Sequence, residues 1–142
     1  MQLYSGPLSL FSRKVEIALL EKGLPFERVM VPFTQTVGYS PKNANVLRTN
    51  PKGQVPVLID GELGLYDSTV IIEYLDEAYP QVALFPASAK DRAECRLLDV
   101  FADEVMLVPI RALMHRTGPA RAPQTRRHGL PWKPQPKTLA WS

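Results

Sequence analysis

Apolar and polar positions along the chain change period several times, and each change marks an element. Gln2 to Ser5 reads as a short strand that Gly6-Pro7 interrupts. From Ser9 to Lys22 the spacing is helical: Val15, Ala18, Leu19 and Lys22 fall at i, i+3, i+4 and i+7, and the lysine stem can cover the edge of that stripe. Gly23 is the expected stop. Phe26 to Phe33 returns to strand character through Val29 and Val31, and Pro32 points to a sheet edge. Strand, helix and strand within about 30 residues is the length of a βαβ unit.

A polar loop from Gly38 to Pro51 follows, with a short helical turn predicted near Ala44 to Leu47. Val55 to Ile59 then reads as a strand, Asp60-Gly61 as a type I′ turn signal, and Glu62 to Tyr66 as its antiparallel neighbour. Asp67 and Ser68 offer capping oxygens to a helix whose apolar face is Val70, Ile71, Tyr74, Leu75 and Ala78, closed by Pro80. The order β-α-β, loop, β-β-α, with no internal repeat, predicts an α/β thioredoxin-like domain over 1–79. Residues 80–87 read as a linker. Ala87 to about Leu107 is helical again, with Ala93, Leu97, Val100, Phe101, Val105 and Val108 as its stripe and Pro109 expected to end or kink it. On this reading 88–116 is the first helix of an all-α domain that one helix cannot complete. Residues 117–142 hold five prolines and no sustained period, and disorder is expected there.

Composition changes this picture in two ways. An apolar fraction of 45% in 142 residues suffices for a buried core. The net charge of +3 would suggest a nucleic-acid partner if spread over a folded surface. It is not: residues 1–116 carry 12 Lys and Arg against all 14 acidic residues, a net charge of −2, and the last 26 residues carry five basic residues and no acid. Neither nucleic acid nor membrane is therefore an expected partner. The single cysteine, Cys95, excludes an internal disulfide and any C-x-x-C pair, and is read as a packing residue. His115 and His128 have no metal-ligand spacing with it, so no metal site is expected. With no secretory signal at Met1 and no membrane-length apolar run, a cytoplasmic protein is expected.

Three short features could carry chemistry. Ser9-Leu10-Phe11-Ser12 lies where a strand opens into a helix, so backbone N–H groups and the helix dipole favour an anion there. A thiol bound at that point would ionise more readily, and a serine hydroxyl can donate to its sulfur. Serine has no redox couple, so this loop could activate a thiol without exchanging disulfides. Helix capping alone also accounts for both serines. At Gln54-Val55-Pro56 a cis bond would turn the Val55 N–H and C=O outward, able to pair with a peptide as an added strand does; a trans proline opening a strand is the plain alternative. Ser68 and the N–H groups beside it could hold a carboxylate and Asp67 an ammonium, or the pair could only cap the helix.

In order and spacing these features resemble the glutathione transferase superfamily. The resemblance lies in the run from Ser9 to Gly23 (SLFSRKVEIALLEKG), in Asn50 to Leu58 (NPKGQVPVL) and in Asp67 to Leu75 (DSTVIIEYL). It implies a thioredoxin-like half that binds glutathione as co-substrate, with Ser9 as the catalytic serine and Ser12 as its fallback. Val55 would pair through its backbone with the cysteinyl part of glutathione, ahead of a cis Pro56. Asp67 and Ser68 would clamp the γ-glutamyl group, Lys42 or Lys52 would face the glycyl carboxylate, and Phe11 and Gln54 would line the site. Family members often carry Glu where Asp67 stands. Tyr4, the other hydroxyl nearby, is left out of the set. The implied activity is attack of an activated glutathione thiol on a small electrophile, of the kind used in detoxification, with a homodimer expected if the second domain is completed. The alternatives are a non-catalytic thioredoxin-like binding module or inactive truncated transferase, and a glutathione-dependent isomerase. The helices that follow in similar proteins are expected to be missing here, and the basic, proline-rich text after 116 has the pattern of a frameshift or a misplaced gene end.

Overall fold

A computed structural model describes residues 1–34, 37–39 and 42–114; the tail expected to be disordered, with His115 and His128, lies outside the described residues. The elements run β1 (Gln2–Ser5), α1 (Leu10–Glu21), β2 (Glu27–Met30), α2 (Ala44–Thr49), β3 (Val57–Asp60), β4 (Leu63–Tyr66), α3 (Ser68–Ala78) and α4 (Ala89–Phe101). A π-helical stretch, Ala102–Met106, joins α4 to α5 (Leu107–Met114). The strands form one mixed sheet in the order β2-β1-β3-β4, parallel between β1 and β2 and antiparallel elsewhere. This is the thioredoxin-like arrangement the element order predicts, with helices continuing beyond it.

Two apolar clusters hold the sheet. In the first, Leu3 and Leu58 of the sheet meet Val15, Ala18 and Leu19 of α1 and Ile71, Ile72 and Leu75 of α3. The second joins Tyr4, Val31, Val46, Val55 and Val57, so α2 covers it. Burying each such aliphatic side chain contributes about 1.5–3 kcal/mol. The α1 stripe is the predicted one: Lys22 is buried too, and its ammonium pairs with Asp76 at 3.6 Å and donates to the Val82 carbonyl. Gly23, at φ 65, turns the chain out of α1 where a side chain would be strained.

The structure corrects four expectations. In α3, Ile72 is buried and Val70 is half exposed, because the helix turns its 71-72-75 edge to the sheet. The hairpin loop is Gly61-Glu62, since Asp60 itself pairs with Leu63, and only Gly61 of the two has positive φ, a II′ pattern and not I′. β3 begins at Val57 and not Val55, since Pro56 has no N–H to give a ladder. Pro109 does not end the helical run, which continues through α5 to Met114. It stands in the first turn of α5, just after the π-helical stretch, whose wider bonding pattern carries the Leu107 N–H to the Ala102 carbonyl.

Candidate functional site

The sheet register gathers the three sequence features at one end. Tyr4 pairs with Val29 on one side and with Val57 on the other, and Val57 pairs with Tyr66. The loop leaving β1, the segment leaving β2, the approach to β3 and the residues after β4 therefore all lie beyond the same edge. Ser9, Val55-Pro56 and Asp67-Ser68 are brought together by topology, though Ser9 and Asp67 stand 58 positions apart in the chain.

Ser9 is the N-cap of α1, at φ −83 and ψ 106. Its N–H donates to the Gly6 carbonyl at 3.1 Å. Its Oγ accepts from the Ser12 N–H at 3.1 Å and from the Ser12 hydroxyl at 2.9 Å. Both lone pairs are thus engaged, and the Ser9 proton is left to point elsewhere. Ser12 is fully buried, so its hydroxyl serves Ser9 from below. No acidic side chain stands in the first turn of α1 to compete with an anion. Phe11, half-buried, lies under the Arg111 guanidinium, 5.3 Å from the ring centroid.

The Val55-Pro56 bond is cis, and Val55 and Pro56 are buried. The loop that delivers them is tied by Asn50, a buried residue to which the sequence reading gave no role. Its Nδ2 donates to the Gln54 carbonyl at 2.8 Å and its Oδ1 accepts from the Lys52 N–H at 3.0 Å. The Gln54 side chain and Lys52 are exposed. Lys42 donates to the Gly53 carbonyl at 3.0 Å, which holds its ammonium at this loop.

Asp67 caps α3 from an unusual backbone position, φ 74, with Oδ1 accepting from the N–H groups of Thr69 at 3.0 Å and Val70 at 3.4 Å. Oδ2 is outside those bonds. Ser68 is buried at the first position of the helix. Like Asn50, Tyr39 was given no role by the sequence reading; its phenol oxygen lies against Gly6, the residue whose carbonyl accepts from the Ser9 N–H at 3.1 Å. Burial pushes that phenol above its ordinary value, and the neighbouring Ser9 hydroxyl lowers it by less. Tyr4 has no part in this. It is buried in the second cluster, its oxygen accepting from Asn45 and its hydroxyl donating to Gln2 at 3.4 Å.

Residues 3–83 match the family model described as the N-terminal domain of glutathione S-transferase. The chain belongs to the glutathione S-transferase family. Among its relatives is a stringent starvation protein A homolog of Coxiella burnetii, 39% identical over 98 residues, a match covering 69% of this chain and 44% of that protein. A probable maleylacetoacetate isomerase of Vibrio cholerae is 38% identical over 117 residues, covering 81% and 54%. A crystal structure of a glutathione S-transferase from Methylobacillus flagellatus with glutathione bound superposes with a TM-score of 0.68 at 32% identity, covering 83% of this chain and 56% of that one. The chain spans about half the length of the relatives it matches. As a glutathione S-transferase family member it shares the fold of proteins solved with the tripeptide in place. No helix among its described residues is long and apolar enough to cross a membrane.

Proposed function

We propose that this chain binds glutathione along the Val55-Pro56 edge and that Ser9 donates its hydroxyl proton in a hydrogen bond to the sulfur, keeping it as thiolate. The observation that carries the reading is the Ser9 oxygen at the head of α1 with both lone pairs taken up by Ser12, so that its remaining function is donation. Ser12 on this account orients Ser9 and does not itself meet the thiol. Asp67, through Oδ2, would receive the γ-glutamyl ammonium, and Ser68 with the opening N–H groups of α3 its carboxylate. Lys42 or Lys52 would meet the glycyl carboxylate. The thiol proton leaves to solvent, the thiolate forms a bond to the electrophilic carbon, and the leaving group departs with its electron pair.

The energetics are within reach of such a site. Moving the thiol pKa from about 8.5 to 6.5 requires roughly 2.7 kcal/mol, which one hydroxyl donor and a helix end can supply together. Calorimetry with the full chain should show glutathione binding at millimolar ligand or below. Ser9→Ala should keep that binding, lose most conjugation of an aryl halide, and cost about 1 kcal/mol of stability through the lost cap. Equal conjugation by wild type and variant would reject the assignment. A second reading, a thioredoxin-like module without catalysis, draws support from the Coxiella relative, whose name refers to stringent starvation and not to a transferase; no binding in the calorimeter would put that reading first. The Vibrio relative's name keeps a glutathione-dependent isomerase as the third.

A further inference from the structure

Beyond β2 the chain folds back over the Ser9 loop. Thr34 and Gly38 exchange backbone hydrogen bonds, 3.0 Å and 2.7 Å, and Gly38 takes φ 72 to make the return. The rings of Phe33 and Tyr39 then pack with centroids 4.9 Å apart. Tyr39 leans on the cluster that contains Val55 and Val57, and its hydroxyl comes down on Gly6. A Cβ at position 6 would lie 2.1 Å from that oxygen, so no residue with a side chain fits beneath it. Gly6 is also the residue whose carbonyl receives the Ser9 N–H. The phenol thus stands at the sulfur end of the site, in contact with the same turn that positions Ser9.

We propose that Tyr39 is a second catalytic hydroxyl of the thiol site, donating to the glutathione sulfur beside Ser9. The inference rests on the thiol-activation reading of this site and adds to it a donor from a different loop. When a thiolate arrives at the head of α1, both hydroxyls, held against the same Gly6 turn, can turn their protons to the one sulfur. A phenol whose burial keeps it protonated at neutral pH donates to the thiolate and does not compete with it for the anionic state. No bond is made or broken by Tyr39.

The test is the pKa of bound glutathione, read from thiolate ultraviolet absorbance across pH with the full chain as wild type, Ser9→Ala and Tyr39→Phe. Phenylalanine keeps the ring against Phe33 and removes only the oxygen. Tyr39→Phe should lower the thiolate-to-thiol ratio at a fixed pH near 6.5 about tenfold, one pK unit, with glutathione affinity unchanged. Gly6→Ala, whose methyl must displace the phenol, should shift it in the same direction and serves if Tyr39→Phe does not fold. A normal pKa in Tyr39→Phe alongside a raised one in Ser9→Ala overturns the Tyr39 role and leaves Ser9 standing. A raised pKa in Tyr39→Phe alone supports Tyr39 and removes Ser9. Loss of glutathione affinity in Tyr39→Phe overturns the donor role in favour of a binding one, and absence of binding by wild type overturns both.

Discussion

Individual residues show how polar groups are settled away from the site. Asp60, at the end of β3, accepts from the Tyr74 hydroxyl at 2.8 Å and the Tyr79 hydroxyl at 2.5 Å, tying α3 to the hairpin. The Tyr79 bond holds the Asp60 carboxyl below its usual range, with burial opposing and Tyr74 assisting. The same bond pushes the Tyr79 phenol up to about 12. The two shifts act on opposite limbs of the stability profile. Asp60 is the stronger acid when folded, so its contribution is complete above the unfolded carboxylate pKa near 4 and is lost as pH falls through its lower folded value. Tyr79 is the weaker acid when folded, so its contribution is complete below about pH 10 and is lost as pH rises through about 12. Asp60→Asn should therefore lose about 1 kcal/mol at neutral pH, discounted for solvent exposure, and show a flatter acid limb in urea midpoints taken across pH. An unchanged acid limb would mean that the phenol bonds do not favour the charged carboxylate.

At the scale of elements, α4 and the helical turns after it are attached to the thioredoxin-like core by charge more than by apolar burial. Leu107 is the one large apolar residue among those described in 89–113 that is buried. Arg96 binds Glu73 through two bonds, 2.6 and 2.8 Å, and Arg92 reaches Asp76 at 3.4 Å while lying over the Phe85 ring. Lys14 of α1 meets Asp99, Asp103 at 3.1 Å and Thr69 at 3.2 Å, and Thr69 in turn donates to Asp99 at 2.7 Å. Removing Lys14 leaves two carboxylates one helical turn apart and partly buried together. Lys14→Met should raise hydrogen exchange in 89–107 by roughly tenfold, on the order of 1.4 kcal/mol of local stability, while the amides of β1 and β3 stay protected. A uniform rise across the sheet would place Lys14 in the global core instead. Added salt should loosen the same segment.

The α1 stripe and the α/β order were readable because each has a local signal: 3.6-residue spacing, glycine stops, capping oxygens. Val70 and Ile72 were not, since both fit an apolar helix face and only the sheet decides which edge turns inward. The hairpin was misread by one residue for a related reason, as Asp-Gly names a turn without fixing its register. Ser9, Val55 and Asp67 could be picked out by spacing within one family pattern. Tyr39 could not, because a tyrosine in a polar loop carries no periodicity, and only the Thr34–Gly38 return sets its hydroxyl on Gly6.

For the whole molecule, the described helices leave a broad apolar face open. Leu97 and Leu98 are more than two-thirds exposed, at 69% and 67%, with Phe101, Val105 and Val108 continuing the surface. Such contiguous exposure favours association. The full chain should bind a hydrophobic dye and grow in apparent size with concentration by light scattering, and Leu97→Glu with Phe101→Glu should reduce both; a monodisperse monomer that ignores the dye would show this face to be covered. The end of the sheet where Ser9, Val55-Pro56 and Asp67-Ser68 converge is built by the strand ends with the first turns of α1 and α3, apart from that apolar face. The most direct measurement of what that convergence does is the ionisation of glutathione on the protein. Wild type should hold it with a thiol pKa about two units below the free value near 8.5, and Ser9→Ala should return most of that shift at similar affinity. Bound glutathione that titrates as it does in water, in wild type as in the variant, would contradict the account.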